Sequence, residues 1–269
     1  GRLVFRLIFG AIIALISFIS YLGTRETNKV TGKIQYVALT PEQEIAIGLK
    51  ALPQLSYKYG GMEIDKKAEK IVDTIGNRIV EATNAKKTPY KFDFHVLNDD
   101  NTINAFALPG GQVFITSALL KKLKTEGQVA GVLGHEIGHV IARHGAEHLA
   151  KEKLTRGLAG AASIATYDPN HPNSRYAGAI AQAIGQLVNM RFGRKDELEA
   201  DILGIKFMSE TGYNPQAMIE VMKILDKATK SGRPPEFFST HPNPQNRIGN
   251  IKQTITKYFP NGVPAELKE

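Results

Sequence analysis

A pair of histidines four residues apart, in the run His135-Glu136-Ile137-Gly138-His139, constrains this chain more than any other feature. On an α-helix that spacing puts both imidazoles on one face, a turn apart, where they can chelate one tetrahedral metal ion. The flanking residues predict such a helix. Thr125-Glu126-Gly127-Gln128 has the pattern of a capping box, which places a helix from about Glu126 to about Lys151. Gly134 and Gly138 fall in its middle, where each costs about 1 kcal/mol relative to Ala. Something must approach the helix backbone closely there, a sheet or a substrate.

Glu136 follows the first histidine and projects beside the same face. Amide carbonyls resist water, so hydrolysis needs a cation to polarise the carbonyl and a base to move the proton to the leaving amine. His135 and His139 as ligands and Glu136 as general base meet that need, and the donor set suits Zn²⁺, one per subunit. Two histidines on a packed or wet helix face are the bland alternative.

Zinc also needs a third protein ligand and an open fourth position. His144 is close in sequence, but on a continuous helix it points about 140° away from His139. His148 is nearer in phase with His144 than with the metal face. Both read as solvated or second-tier groups. Glu197 and Asp201 are a better pair, again four apart and flanked by Leu198, Ala200, Ile202 and Ile205. Glu197 would bind the ion, and Asp201 would accept a hydrogen bond from the distal nitrogen of a ligand histidine and fix its tautomer. An acidic, solvated helix face is the competing reading of these two residues.

The rest of the chain divides by composition. Leu7 to Gly23 carries no charge, and a run of about 20 apolar residues can cross a bilayer, with Arg2 and Arg6 placed to snorkel. A cleavable signal competes, but the small-x-small cleavage pattern is missing, which favours an uncleaved anchor. Thr40-Pro41-Glu42-Gln43 starts a helix expected to run to about Leu52, and an amphipathic helix follows from about Ile64 to Ala82, with Ile71, Ile75, Ile79 and Val80 on one face. Phe92, Phe94 and Val96 alternate with polar residues as in a strand. Asn104 to Leu108 and Val113 to Ile115 flank the turn Pro109-Gly110-Gly111, so three short strands are expected to form a small antiparallel sheet. Ser117 to Lys230 reads as helical apart from a loop near residues 167–174. The Ala/Gly-rich stretch from Gly157 to Val188 is too interrupted to span a membrane and reads as a helical hairpin.

Several classes are excluded or disfavoured. With no cysteine there is no disulfide, thiolate ligand or Cys nucleophile. The net charge of +8 is spread along the chain and mixed with acids, without the tight basic stripe and aromatic partners of a nucleic-acid groove.

Together the motifs resemble a known family. His135-Glu136-x-x-His139 with Glu197-x-x-x-Asp201 is similar to the gluzincin pattern. Asn104-Ala105-Phe106-Ala107-Leu108-Pro109-Gly110-Gly111, Arg194 to Asp201 and Ser239-Thr240-His241-Pro242 resemble the family of the HtpX heat-shock proteases and CAAX prenyl proteases. Within it the resemblance is to the single-anchor bacterial envelope quality-control branch and its mitochondrial inner-membrane relatives. The resemblance implies Glu197 as third ligand and Asp201 as orienting carboxylate. It also implies an oxyanion-stabilising role for His241 and pairing of Arg247 with the site's carboxylates. Read without the resemblance, His241 could equally lie in a surface turn. The family likewise lays an extended substrate on an edge strand matching Asn104, Ala105, Phe106 and Ala107.

The expected molecule is a mostly helical α+β, zincin-like metallopeptidase with a small antiparallel sheet and an active-site helix carrying HExxH. Its expected organisation is an anchor or signal over 1–25, a linker over 26–39, the peptidase domain over 40–258 and a tail over 259–269. Its expected substrates are unfolded or misassembled envelope polypeptides, with the membrane as partner through the N-terminal segment and no nucleic acid. The placement implied is single-pass in the bacterial inner membrane with the domain facing the periplasm, the mitochondrial inner membrane being the alternative. The absence of a long Arg/Ser-rich presequence favours bacteria. A membrane-tethered zinc-binding chaperone, or a protease kept latent by a cover formed from Gly157 to Arg191, is the rival reading. The oligomeric state is left open by the sequence.

Overall fold

The computed structural model describes residues 2–63, 65–165, 190–232, 234–242 and 246–269. The apolar start forms one long helix, α1 (Arg2–Leu22), whose outer surface is almost wholly exposed apolar side chain. The expected linker is not a free tether. It folds into an antiparallel hairpin of β1 (Arg25–Thr27) and β2 (Ile34–Tyr36), which sits against the body of the protein.

Thr40 closes a reciprocal capping box with Gln43 and starts α2 (Pro41–Lys58). This helix passes through Pro53 and ends at Lys58, six residues beyond its expected end at about Leu52. The gain is apolar: Ala51, Leu55 and Tyr59 bury against Leu97, Leu108 and Phe114. Helix α3 (Lys66–Ala82) buries Val72, Ile75, Gly76 and Ile79, whereas Ile71, expected on that face, is exposed. Each such buried aliphatic side chain contributes about 1.5–3 kcal/mol.

The sheet corrects the sequence expectation. Strands β3 (Asp93–Leu97), β4 (Ala105–Ala107) and β5 (Gln112–Thr116) lie in the order β3-β5-β4. β4 and β5 form the antiparallel hairpin, but β3 runs parallel to β5, so the sheet is mixed. The segment after β3 carries the chain past the centre to the far edge, and β5 then returns into the middle. β5 is buried at every residue, as a central strand requires, and β4 is left as an edge. The hairpin turn needs Gly110 and Gly111, both at positive φ, because a side chain on either would strike the backbone of Ile45 or Lys91.

The remaining helices are α4 (Ser117–Leu120), α5 (Glu126–Ile141), α6 (His144–Ala165), α7 (Arg194–Glu210), α8 (Ala217–Lys230), α9 (Phe237–Thr240) and α10 (Arg247–Tyr258). α5 is buried all round from Gly127 to Ile141, enclosed by α3, β4, α7 and α8. Thr125 caps it by accepting from the Gln128 amide, but the Gln128 side chain reaches back to the amide of Lys124 rather than Thr125. The hairpin and cover expected beyond Ala165 lie outside the described residues.

Candidate metal centre

The site is built where α5 and α7 touch most closely. The glycines in α5 admit a helix, not the sheet or substrate expected. A side chain at Gly134 would contact the Gly204 backbone, and one at Gly138 would stand 3.1 Å from the carbonyl oxygen of Ala200. This approach brings His135 and His139 of α5 opposite Glu197 of α7, all buried.

The Nε2 atoms of His135 and His139 are 3.1 Å apart. Glu197 closes the triangle, with Oε2 at 3.5 Å from His135 and Oε1 at 3.3 Å from His139. Ligands about 2.0–2.2 Å from a tetrahedral Zn²⁺ stand roughly 3.3–3.5 Å from one another, and the contacts of these three residues, made to the two Glu197 oxygens separately, lie near that spacing. His241 joins them: its Nδ1 is 3.0 Å from Glu197 Oε1, and one donor atom from each of the four residues lies within 4.8 Å of the others. His241 is fully buried, which rules out the surface-turn reading.

The polar groups around this centre are incompletely satisfied. Both carboxylate oxygens of Glu136, Glu197 Oε2 and His241 Nε2 are buried with no hydrogen-bond partner among the described residues. Such a group costs about 1–3 kcal/mol when left unmade, and a cation with its water would offset that cost. Arg247 Nη1 lies 3.1 Å from Glu197 Oε2, an ion-pair distance, but lacks hydrogen-bond alignment.

Each histidine has a partner on its other nitrogen. His135 Nδ1 is 2.9 Å from Asp201 Oδ1, and Arg247 grips Asp201 with two hydrogen bonds of 2.8 Å. His139 Nδ1 is 2.9 Å from His144 Nδ1. His144 is buried, so it is second-tier rather than solvated; its Nε2 is 3.5 Å from Glu199, which pairs with Lys33 of the hairpin at 2.8 Å. The expected helix to Lys151 would have turned His144 away. Instead α5 stops at Ile141, and Arg143, at φ 58°, reverses the chain and folds His144 back onto His139. Arg143 is held there by Glu44, Glu26 and the carbonyl of Leu39. The left-handed residue at the break is an arginine, not the glycine or asparagine that usually takes that position at a helix stop. His148 sits apart, bonded to Asp196 at 2.8 Å.

Burial and charge divide the titratable groups. Burial pushes the Glu136 carboxyl up and the His139 imidazole down. Burial also opposes charge on His135, but Asp201 and Glu197 outweigh it and hold that ring up at about 9. Glu197 would be raised by its burial, yet His241, His135 and His139 keep it well below the usual carboxylate range. A proton on His135 thus occupies a place that a metal ion competes for.

The predicted substrate strand borders the same space. A cavity beside the centre is lined by Leu55, Tyr59, Asn104, Phe106, Phe192 and His241, among others. The bonds Thr116 N to Asn104 O and Leu108 N to Gln112 O set the ladder so that Phe106 pairs with Phe114. The peptide groups of Ala105 and Ala107 therefore face away from β5, toward the open edge.

A helix carrying HExxH against a glutamate-bearing partner helix defines a metallopeptidase. The chain belongs to peptidase family M48, whose sequence model matches residues 66–255. It is 34% identical over 195 residues to the beta-barrel assembly-enhancing protease of Escherichia coli K12, covering 70% of this chain and 39% of that protein. The same-named protein of Yersinia pestis is 31% identical over 82% of this chain and 46% of its own length. The mitochondrial metalloendopeptidase OMA1 of Schizosaccharomyces pombe is 29% identical over 93% of this chain and 72% of its own. The chain thus spans less than half the length of these bacterial relatives.

Proposed function

We propose that this protein is a zinc-dependent endopeptidase that cleaves extended segments of unfolded or misassembled envelope proteins. The observation that carries this is the meeting of His135, His139 and the two oxygens of Glu197, with contacts of 3.1 to 3.5 Å, beside the enclosed carboxylate of Glu136. When bound, Zn²⁺ polarises the scissile carbonyl and lowers the pKa of the attacking water. Glu136 takes the proton from that water and delivers it to the leaving amine. Its burial raises its affinity for the proton, which suits a group that must carry one briefly. Asp201, held by Arg247, fixes His135 in the tautomer that leaves Nε2 free.

Ala105 and Ala107 would offer their outward peptide groups to an extended substrate, and Asn104 and Phe106 would line the cleft with their side chains. Main-chain pairing of that kind gives broad sequence tolerance. The apolar α1 supports a single-pass anchor, and the relatives' names support an envelope or mitochondrial setting. We place the domain on the periplasmic face of a bacterial inner membrane, the mitochondrial inner membrane being the alternative.

A second reading, a latent protease or zinc-holding chaperone, is favoured by His241. Its ring lies among the donors, with Nε2 3.6 Å from Glu136, and Phe237 stacks on it at 4.4 Å, so the fourth position is crowded from within. Casein cleavage with and without added Zn²⁺ separates the readings. The peptidase reading expects zinc-dependent cleavage by wild type and none by Glu136→Ala. Zinc-loaded wild type that leaves casein intact, while His241→Ala cleaves it, establishes latency. Equal cleavage by wild type and Glu136→Ala refutes the mechanism.

A further inference from the structure

α1 is not alone. The residues of α1 that are covered form one helical stripe, Arg6, Gly10, Ile13, Ala14, Ser17 and Tyr21, and the principal partner of α1 among the described residues is α6. Small residues along a stripe let two helix backbones come close without polar contacts, as in membrane helix pairs. The approach is close here: a side chain at Gly157 of α6 would run into the hydroxyl of Ser17.

The two helices run antiparallel. α1 ends where the β1–β2 hairpin meets the body, with Asn28 of the hairpin donating to the carbonyl of Ile141 just before α6 begins. Moving away from the body, α1 is read backward and α6 forward. Ser17 lies five residues inside the end of α1, about 7.5 Å along its axis, and α6 continues eight residues past Gly157, about 12 Å more.

Charge on α6 changes at the same level. Lys151, Lys153 and Arg156 are exposed, and Arg156 is the last charged residue of the helix. Leu158 to Ala165 has none. Leu158 is exposed, and so are the large apolar residues of α1 around it. Tyr21 and Tyr36 stack at 4.7 Å where α1 leaves the body, a position suited to the aromatic belt of an interface.

We propose that the C-terminal part of α6, from about Gly157, enters the lipid bilayer beside the anchor, with Lys151, Lys153 and Arg156 at the headgroups. The partner is the acyl region of one leaflet. Basic residues at the boundary suit phosphate headgroups, and the uncharged end of α6 continues from the exposed Leu158 beside the exposed apolar surface of α1. α6 begins at His144, two residues after α5, so the bilayer would hold a helix whose first side chain touches His139.

The chain contains no tryptophan, so a single introduced one reports alone. Leu158→Trp is made in the full chain and reconstituted in vesicles of phosphatidylcholine and phosphatidylglycerol with acyl-brominated lipid. Ile8→Trp in α1 marks the bilayer, and Tyr57→Trp, on a strongly exposed residue of α2, marks water. The proposal expects Leu158→Trp to be quenched like Ile8→Trp, with blue-shifted emission, and Tyr57→Trp to be untouched. Emission from Leu158→Trp matching Tyr57→Trp overturns it, as does an unquenched Ile8→Trp. If the indole perturbs packing, a nitroxide on Leu158→Cys, in a chain without cysteine, gives the same ranking from its collisions with oxygen and a water-soluble nickel complex.

Discussion

Substituting Gly138 by Ala tests whether the α5–α7 approach assembles the metal centre. In an open helix the change favours folding by about 1 kcal/mol. At Gly131, in the same helix, the nearest atoms to an added methyl are 3.5 to 3.7 Å away, ordinary contact distances, so Gly131→Ala keeps that gain. For a domain of this size the gain raises Tm by about 2–4 °C. At Gly138 the methyl meets the Ala200 carbonyl oxygen at 3.1 Å, Leu203 Cβ at 3.2 Å and Ala200 Cα at 3.3 Å. None is the free end of a flexible chain, so α7 itself must yield. Overpacking of this kind costs about 1–3 kcal/mol, which cancels or exceeds the helix gain. Ala200 lies one turn beyond Glu197, so the displacement carries the carboxylate away from His135 and His139. A loss of about tenfold or more in metal affinity is expected, the scale seen when support around a ligand is disturbed. Thermal unfolding of the metal-free proteins and zinc competition against a chromophoric chelator measure the two effects. The reasoning is refuted if Gly138→Ala matches Gly131→Ala in stability and wild type in metal affinity.

Three further outcomes follow from the same geometry. His144→Ala removes the partner of His139 Nδ1, and the chelator competition should show zinc affinity about 10–100-fold weaker, with the fold intact by circular dichroism. Asp201→Asn should be harsher, because it also breaks the buried Arg247–Asp201 ion pair and leaves Arg247 only Glu197 at ion-pair distance; breaking a buried pair costs about 3–5 kcal/mol, read as a lower denaturation midpoint. Glu44 gives a pH signature: its burial, despite Arg143 and Tyr90, raises its carboxyl from 4.5 to about 7. A raised carboxylate favours the folded state below its unfolded value and loses that advantage as pH climbs toward 7. Wild type should therefore lose up to about 3 kcal/mol relative to Glu44→Gln between those limits, in paired urea titrations.

What could be read before folding was local. His135 with His139, and Glu197 with Asp201, are i, i+4 pairs whose shared faces follow from helical period alone, and all four meet at one centre with Glu136. What could not be read depended on distant residues. The end of α5 is set by Arg143 in a left-handed conformation, held by Glu44 from 99 positions away, so helical phase alone puts His144 on the wrong side of a helix that does not continue. The sheet order required knowing that the segment after β3 crosses to the far edge. The mid-helix glycines signalled a close approach correctly, but their spacing carries no information on whether a sheet or a helix arrives.

The same long-range contacts change the standing of the segment before the peptidase unit. The hairpin of residues 25–36 is not a passive tether, since its side chains end on the supports of the metal site. Lys33 pairs with Glu199, which faces His144, which orients His139. Glu26 binds Arg143, the residue that folds His144 back, and Asn28 holds the last carbonyl of α5. The hairpin is fused to α1 at one end and to the capping box of α2 at the other. A force or tilt applied to α1 would therefore reach one ligand histidine, His139, through short links, of which the outermost, at Lys33 and Glu26, are exposed and the innermost, at His144, is buried. The other, His135, is oriented by Asp201 and Arg247 from α7 and α10, with no direct link to the anchor among the described residues. The two histidines of one helix thus rest on different side chains of a shared helix, α7, and among the described residues the direct chain of side-chain contacts back to the hairpin runs through His139.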